Sequence, residues 1–227
     1  MIWKLPLSVL AVSTVVYAFY AAQAWLRYGK PQPPNRQEQD ALLDLFIPVY
    51  DVVERHFIAV DAPASTTFAV AYQLDLLSTP LVHLILRTRE VLLRASTGHN
   101  VALRQLVPST KAMGWRMLAE VPGREIVMGA ATQPWESNVV FRPIPAEEFL
   151  AFQNPAYVKI VWTLRADAVT ADTSIFRTET RVKACGPFAR AKFRRYWTFL
   201  SIGIVIIRRV TLGPLKREAE RQHARSK

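Results

Sequence analysis

The chain has 227 residues, a formal net charge of +11, 51% hydrophobic residues and one cysteine, Cys185. That length fits one domain with an appendage, and the apolar fraction can fill a core, so a disordered polyelectrolyte is excluded. A lone cysteine and four scattered histidines (His56, His83, His99, His223) exclude a disulfide framework and a Cys/His metal cluster.

The first element is an uncharged run over residues 5–26, preceded by Lys4 and followed by Arg27, Lys30 and Arg36. As a helix it reaches roughly 33 Å, enough to cross a hydrocarbon core of about 30 Å. Trp3 stands before it, and Tyr20, Trp25 and Tyr28 lie near its far end, as interfacial aromatics do. Residues 1–27 therefore read as a transmembrane anchor, or alternatively as a signal peptide cleaved near Ala22-Gln23-Ala24. The positive charges after the run favour the uncleaved anchor, with the following domain on the cytoplasmic side. Residues 28–40 read as a proline-rich linker with nothing apolar to pack, and the folded domain as 41–227.

Within that domain, residues 51–60 alternate as a strand, with Val52, His56 and Ile58 on one face. Asp61 and Pro63 are placed to start a helix with Phe68, Ala71, Tyr72 and Leu76 inward. Pro80 opens a second helix, with Leu81, Leu84, Ile85 and Leu92 expected inward and Arg87, Arg89, Glu90 and Arg94 outward. Residues 96–113 give no clear period.

Pro122-Gly123 then marks a hairpin between residues 114–121 and 124–132. Centred there, Ala119 faces Ile126, Met117 faces Met128 and Trp115 faces Ala130; Glu120, Glu125 and Arg116 take the other face, with both glutamates exposed. Residues 139–144 read as a strand, 146–153 as a helical insert, and 157–168 and 173–184 as long strands joined at 170–172. A long helix follows from Gly186 or Pro187, with Phe193, Tyr196, Trp197, Leu200, Ile204 and Ile207 as its apolar stripe and arginines filling the rest. Gly213-Pro214 is expected to break or kink it before a soluble basic tail.

Charge is concentrated at that end. Residues 183–227 hold twelve Lys/Arg against two acids, Glu218 and Glu220. Such a surface attracts phosphate on anionic lipid or nucleic acid. The arginines are interleaved with a core stripe and no nucleic-acid motif accompanies them, so lipid is favoured.

The strand-into-helix segment HFIAVDAPASTTFAVAYQLDL, the hairpin GWRMLAEVPGREIVMGA, the pair YVKIVWTLRADAV and FRTETRVKA, and the closing FRRYWTFLSIGIVIIRR together resemble the START-like, or SRPBCC (polyketide-cyclase-like), superfamily. The likeness runs over about residues 50–217. It implies an α+β helix-grip fold: a curved antiparallel sheet around a long C-terminal helix, with two short helices after the first strand and, here, one N-terminal transmembrane helix in front. It further implies a cavity between sheet and helix that takes a hydrophobic small molecule or lipid. The residues placed there are Trp115, Met117, Met128, Trp162, Thr178, Thr180, Phe193, Trp197 and Leu200.

No nucleophile motif, phosphate loop or metal spacing is visible, so no catalytic residue, metal or cofactor is assigned. Glu179 and Arg181 fall on the convex side of the last strand. A cyclase- or dehydratase-like enzyme is the alternative, and it needs a titratable group inside the cavity. A nucleic-acid-binding module ranks third.

Overall fold

Alternating apolar side chains draw six strands into one antiparallel sheet, ordered 52–60, 174–184, 158–168, 125–132 and 116–121, with 141–142 against 125–132. The computed structural model describes residues 7–75, 80–92 and 105–226. In chain order its elements are α1 (Leu7–Arg27), α2 (Ala41–Asp44), β1 (Val52–Val60), α3 (Ala64–Tyr72), α4 (Pro80–Leu92), α5 (Leu106–Ala112), β2 (Arg116–Val121), β3 (Glu125–Thr132), β4 (Phe141–Arg142), α6 (Ala146–Phe149), β5 (Val158–Ala168), β6 (Ser174–Ala184) and α7 (Pro187–Ser226). The long strands pair as the sequence indicates: His56 lies opposite Thr178, and Trp162 opposite both Thr180 and Met128. With α7 laid across the concave face, this is the helix-grip arrangement.

Three apolar clusters hold it together. At one end of the concave face Ile126, Met128, Trp162, Leu164 and Phe176 meet Phe68 and Ala71 of α3, Val107 of α5, and Leu215 and Ala219 of α7. At the other end Val52, Val158 and Val182 meet Tyr28 and the start of α7 through Ala189, Phe193 and Trp197. The convex face is covered as well: Leu43, Phe46 and Ile47 around α2, and Phe149 of α6, bury Val127, Ala131 and Val161. That is why β3 is buried along its whole length rather than at every second residue.

Several expectations from sequence are corrected. The helix does not stop at Gly213-Pro214; it continues to Ser226 because Leu215 and Ala219 are buried against the core and Lys216 Nζ donates to the Ala59 carbonyl at 3.0 Å. Burying a leucine contributes about 1.5–3 kcal/mol, comparable to the ~3 kcal/mol that an interior proline costs. In the hairpin, Met117 does face Met128, but a bulge between Met117 and Ala119 moves Ala119 opposite Val127, and Trp115 lies just before β2. Glu125 is buried, with 4% of its surface exposed, because α2's cap residue Asp40 and the β5 side chain Arg165 close over it.

On α4 the inward residues are Val82 and Ile85, while Leu81, Leu84 and Leu92 face outward. Asp61 makes no cap; α3 starts after Pro63, and the Asp61 amide instead donates to Glu220 at 3.0 Å. The region 28–40 is less detached than its prolines imply. Tyr28 is buried on Phe193 (ring centroids 6.1 Å apart), and Asp40 caps α2 by accepting from the amides of Leu42 and Leu43. The strand expected at 139–144 shrinks to Phe141–Arg142. Leu76, Arg94 and His99 lie outside the described residues.

The N-terminal run does form a helix, α1. Its second half packs antiparallel on α7: Tyr17 donates to the Phe199 carbonyl at 2.8 Å, Tyr20 bonds Ser201 at 2.9 Å, and Arg194 stacks over Trp25 at 3.8 Å. Among the described residues, the helix long and apolar enough to be a candidate membrane span is α7, not α1. Only 17% of its most apolar stretch is fully buried: the aliphatic side chains over 202–207 are half-buried, and Phe199 is exposed.

Candidate ligand site beneath the grip helix

The two apolar clusters on the concave face leave a gap between them, and polar side chains fill it. Strand alternation puts Glu54 and His56 of β1 on the concave face, opposite Thr180 and Thr178 of β6. From above, Arg208 reaches down and its Nη1 donates to Thr178 Oγ1 at 2.9 Å. The arginine expected to be solvated therefore points at the sheet. It stands in the inward row Trp197, Ser201, Ile204, Arg208, Thr211 and Leu215, spaced at three and four residues.

Three features separate this seam from a settled structural network. First, Thr180 Oγ1 and His56 Nε2 are buried and make no hydrogen bond. Leaving such a group unsatisfied costs about 1–3 kcal/mol. Second, Glu54 Oε2 lies 3.6 Å from His56 Nε2, close enough to interact but outside hydrogen-bond geometry. Third, Arg208 has no carboxylate within ion-pair distance among the described residues, although the field of Glu54 reaches it.

Burial, reinforced by the charges of Arg208 and Arg209, pushes the His56 imidazole down to about 4, so it is neutral at pH 7. Burial also raises the Glu54 carboxyl, opposed by the same two arginines. A neutral imidazole, a carboxyl and a guanidinium thus lie together in the seam without saturating one another. Such a set can orient a polar group whose apolar body lies on the flanking clusters.

The nine residues placed in the cavity from sequence do not share one lumen. Met128 and Trp162 are core residues of the first cluster, with Trp115 and Met117 partly buried beside them; the Trp115 and Trp162 rings are 6.1 Å apart. Phe193 and Trp197 pack in the opposite cluster, their rings tilted with centroids 5.8 Å apart. Thr178 and Thr180 sit in the seam between, and Leu200 is half-buried on α7 in neither cluster. Glu54, His56 and Arg208 were not among the nine. The alternation Val52, Glu54, His56, Ile58 and the inward row on α7 both carried the signal.

The buried charged groups outside the seam have structural partners among the described residues. On the convex side Arg181, 1% exposed, is held by Glu179 (2.7 Å), Asp44 (2.5 Å) and the Ile47 carbonyl (3.0 Å), and Glu179 also pairs with Arg55 at 3.0 Å. Those partners bear out the convex placement of Glu179 and Arg181. Asp167 ties Arg165, Arg177 and Arg124 together nearby. A groove of ≈ 240 Å³ opens at the sheet edge beside β4, between Gln133, Glu136, Arg142 and Tyr157. Burial raises the Cys185 thiol, which makes it a poor nucleophile. No group of His, Cys, Asp and Glu among the described residues could hold a metal ion.

Comparison with known families and with curated protein sequences gives no match. Three solved structures are similar in shape. The di-domain ARO/CYC BexL from the BE-7585A biosynthetic pathway is 17% identical, with 74% of this chain and 46% of that one covered and a TM-score of 0.26. The chain thus spans about half of BexL's length. The Zhui aromatase/cyclase from Streptomyces sp. R1128 is 13% identical, covering 73% and 94%, with a TM-score of 0.23. Norcoclaurine synthase from Thalictrum flavum, solved with dopamine and hydroxybenzaldehyde, is 10% identical, covering 76% and 97%, with a TM-score of 0.23.

Proposed function

We propose that this chain is a membrane-tethered helix-grip domain that binds an amphiphile, a hydrophobic small molecule or lipid with one polar end, in the seam between the sheet and α7. The observation that carries this reading is the pair of buried polar atoms without a hydrogen bond, Thr180 Oγ1 and His56 Nε2, beside an arginine that has no ion-pair partner among the described residues. A ligand carbonyl, hydroxyl or carboxylate supplies what they lack, and the apolar clusters on either side supply a bed for its tail. The tether is α1, whose residues 12–19 are exposed, uncharged and mostly apolar.

Displacement of a fluorescent fatty-acid analogue from the purified full chain tests binding. Arg208→Met and Thr180→Val are expected to weaken uptake by about tenfold or more, the value of one lost charge-assisted or buried hydrogen bond. Uptake that both variants leave unchanged places the ligand elsewhere.

A second reading, turnover of the cyclase or dehydratase kind, is favoured by one observation. Glu54 and His56 bring a carboxyl and a neutral imidazole within 3.6 Å inside the grip, a pair able to accept and return a proton. Loss of product formation from a β-dicarbonyl substrate in His56→Gln, with binding retained, supports it; a wild-type chain that binds such substrates unchanged removes it. Nucleic-acid binding draws less support, since much of the basic end is occupied within the fold: Arg190 pairs with Asp51 at 2.8 Å, Arg194 stacks on Trp25 and Lys216 pairs with Glu220.

A further inference from the structure

One turn of α7 joins two apolar helices. The Phe199 carbonyl accepts from Tyr17 of α1 at 2.8 Å, and four residues on, Gly203 lies against Ile85 of α4. A Cβ at Gly203 would sit 2.9 Å from Ile85 Cγ2, so the missing side chain is what lets α4 lie this close. With Val82 and Ile85 turned inward, α4 presents Leu81, Leu84, Val91 and Leu92 outward, 41–77% exposed, in one row at helical spacing. Phe199, one turn before Gly203, is 55% exposed, and α1, bonded to it through Tyr17, exposes Val12, Val15, Val16 and Phe19 by at least 62% each. Monomeric soluble proteins rarely leave so many large apolar side chains uncovered on packed neighbouring helices.

From this geometry we infer that the outer face of α4 and Phe199 form a second bilayer contact, which seats the grip domain flat against the leaflet that holds α1. The inference rests on the tether reading above and extends it from one helix to the domain. Two observations select a bilayer as the occupant. The face is continuous, through the Tyr17–Phe199 bond, with a helix that carries no charge before Arg27. Its rim is cationic: Arg87 is exposed one turn from Leu84, Arg195 is exposed one turn from Phe199, and α7 has no acidic residue before Glu218. Apolar centre and arginine rim match acyl chains and anionic headgroups at their boundary.

The test uses the full chain in phosphatidylcholine–phosphatidylglycerol vesicles, with Cys185→Ala as background and a single NBD-labelled cysteine at position 15, 84, 91 or 199. Position 120, on the exposed edge strand, serves as the control. Brominated lipid reads depth. The inference expects positions 84, 91 and 199 to shift to the blue on vesicle addition and to lose most of their emission to bromolipid, with position 120 unchanged. Quenching at position 15 alone overturns it while leaving the tether intact. Quenching at 84 and 199 but not 15 keeps the contact of α4 and Phe199 with the bilayer but overturns the tether, and with it the claim that this contact is a second one. Labels at 84 and 199 already sequestered before lipid is added, or sequestered as protein concentration rises, point to a second copy of the chain and overturn it.

Discussion

Replacing Thr180 by valine separates a structural role from a ligand-binding one. Its hydroxyl is buried on the concave face opposite Glu54 of β1 and Trp162 of β5, and it bonds to nothing. Valine keeps the branched shape and β-propensity and removes only the unsatisfied oxygen. A buried polar group without a partner costs about 1–3 kcal/mol, so Thr180→Val is expected to leave stability unchanged or raise it by about 1 kcal/mol. For a chain of this size that is about 2–4 °C in Tm. Uptake of an amphiphilic probe is expected to fall about tenfold in the same variant. Denaturant unfolding of the detergent-solubilised chain, read beside probe titration, gives both numbers. Stability gained at the expense of binding is the signature of a site held ready for a guest. A loss of more than about 1 kcal/mol would mean that the hydroxyl is already engaged, and the reasoning fails.

Other perturbations test the frame around the seam. Phe193→Ala empties a 1%-exposed site between Tyr28, Tyr196 and Trp197, and is expected to cost about 3–5 kcal/mol in denaturant unfolding. Arg181→Ala leaves Glu179 short of one of its two arginines in a buried site, and a loss of about 3–5 kcal/mol is expected from the same measurement. In acid, the His56 value of about 4 against an ordinary 6.5 means that the unfolded chain takes up the proton first. Stability is therefore lost as pH falls from 6.5 through 4, and His56→Gln is expected to remove about 3 kcal/mol of that loss in pH-resolved unfolding curves. Glu125 behaves oppositely, since burial and its neighbour Asp40 raise its carboxyl. Folding holds its proton, so stability falls as pH rises above the ordinary carboxylate range, and Glu125→Gln is expected to flatten that alkaline loss.

Much of the fold was legible because its strands alternate cleanly: β1, β5 and β6 begin and end within a residue of the expected positions, and α7 starts at Pro187. What escaped was set by contacts far apart in sequence. Gly213-Pro214 carries every local sign of a helix end, yet Leu215 and Ala219 find the core and the helix goes on. The outward leucines of α4 look inward by composition alone; the face that α7 accepts is fixed by Gly203, more than a hundred residues away. The bulge at Leu118 shifts a pairing that a two-residue turn alone would fix.

The candidate site was half legible. Thr178 and Thr180 were placed on the concave face by alternation, and the same alternation carries Glu54 and His56, which a rule admitting only apolar and threonine side chains discards. Arg208 was lost because a charge on a basic helix reads as solvated until the sheet beneath it is seen. Where alternation puts ionisable groups among valines and isoleucines, the site is announced by the exception.

Photo-crosslinking locates the guest most directly. A diazirine-bearing fatty acid, incubated with the full chain in vesicles, irradiated and mapped by peptide mass spectrometry, is expected to label β1 around Glu54–Ile58, β6 around Thr178–Thr180 and the inward row of α7 near Arg208. Label confined to the outer faces of α1 and α4, with those three segments unmarked, contradicts a ligand site beneath the grip helix.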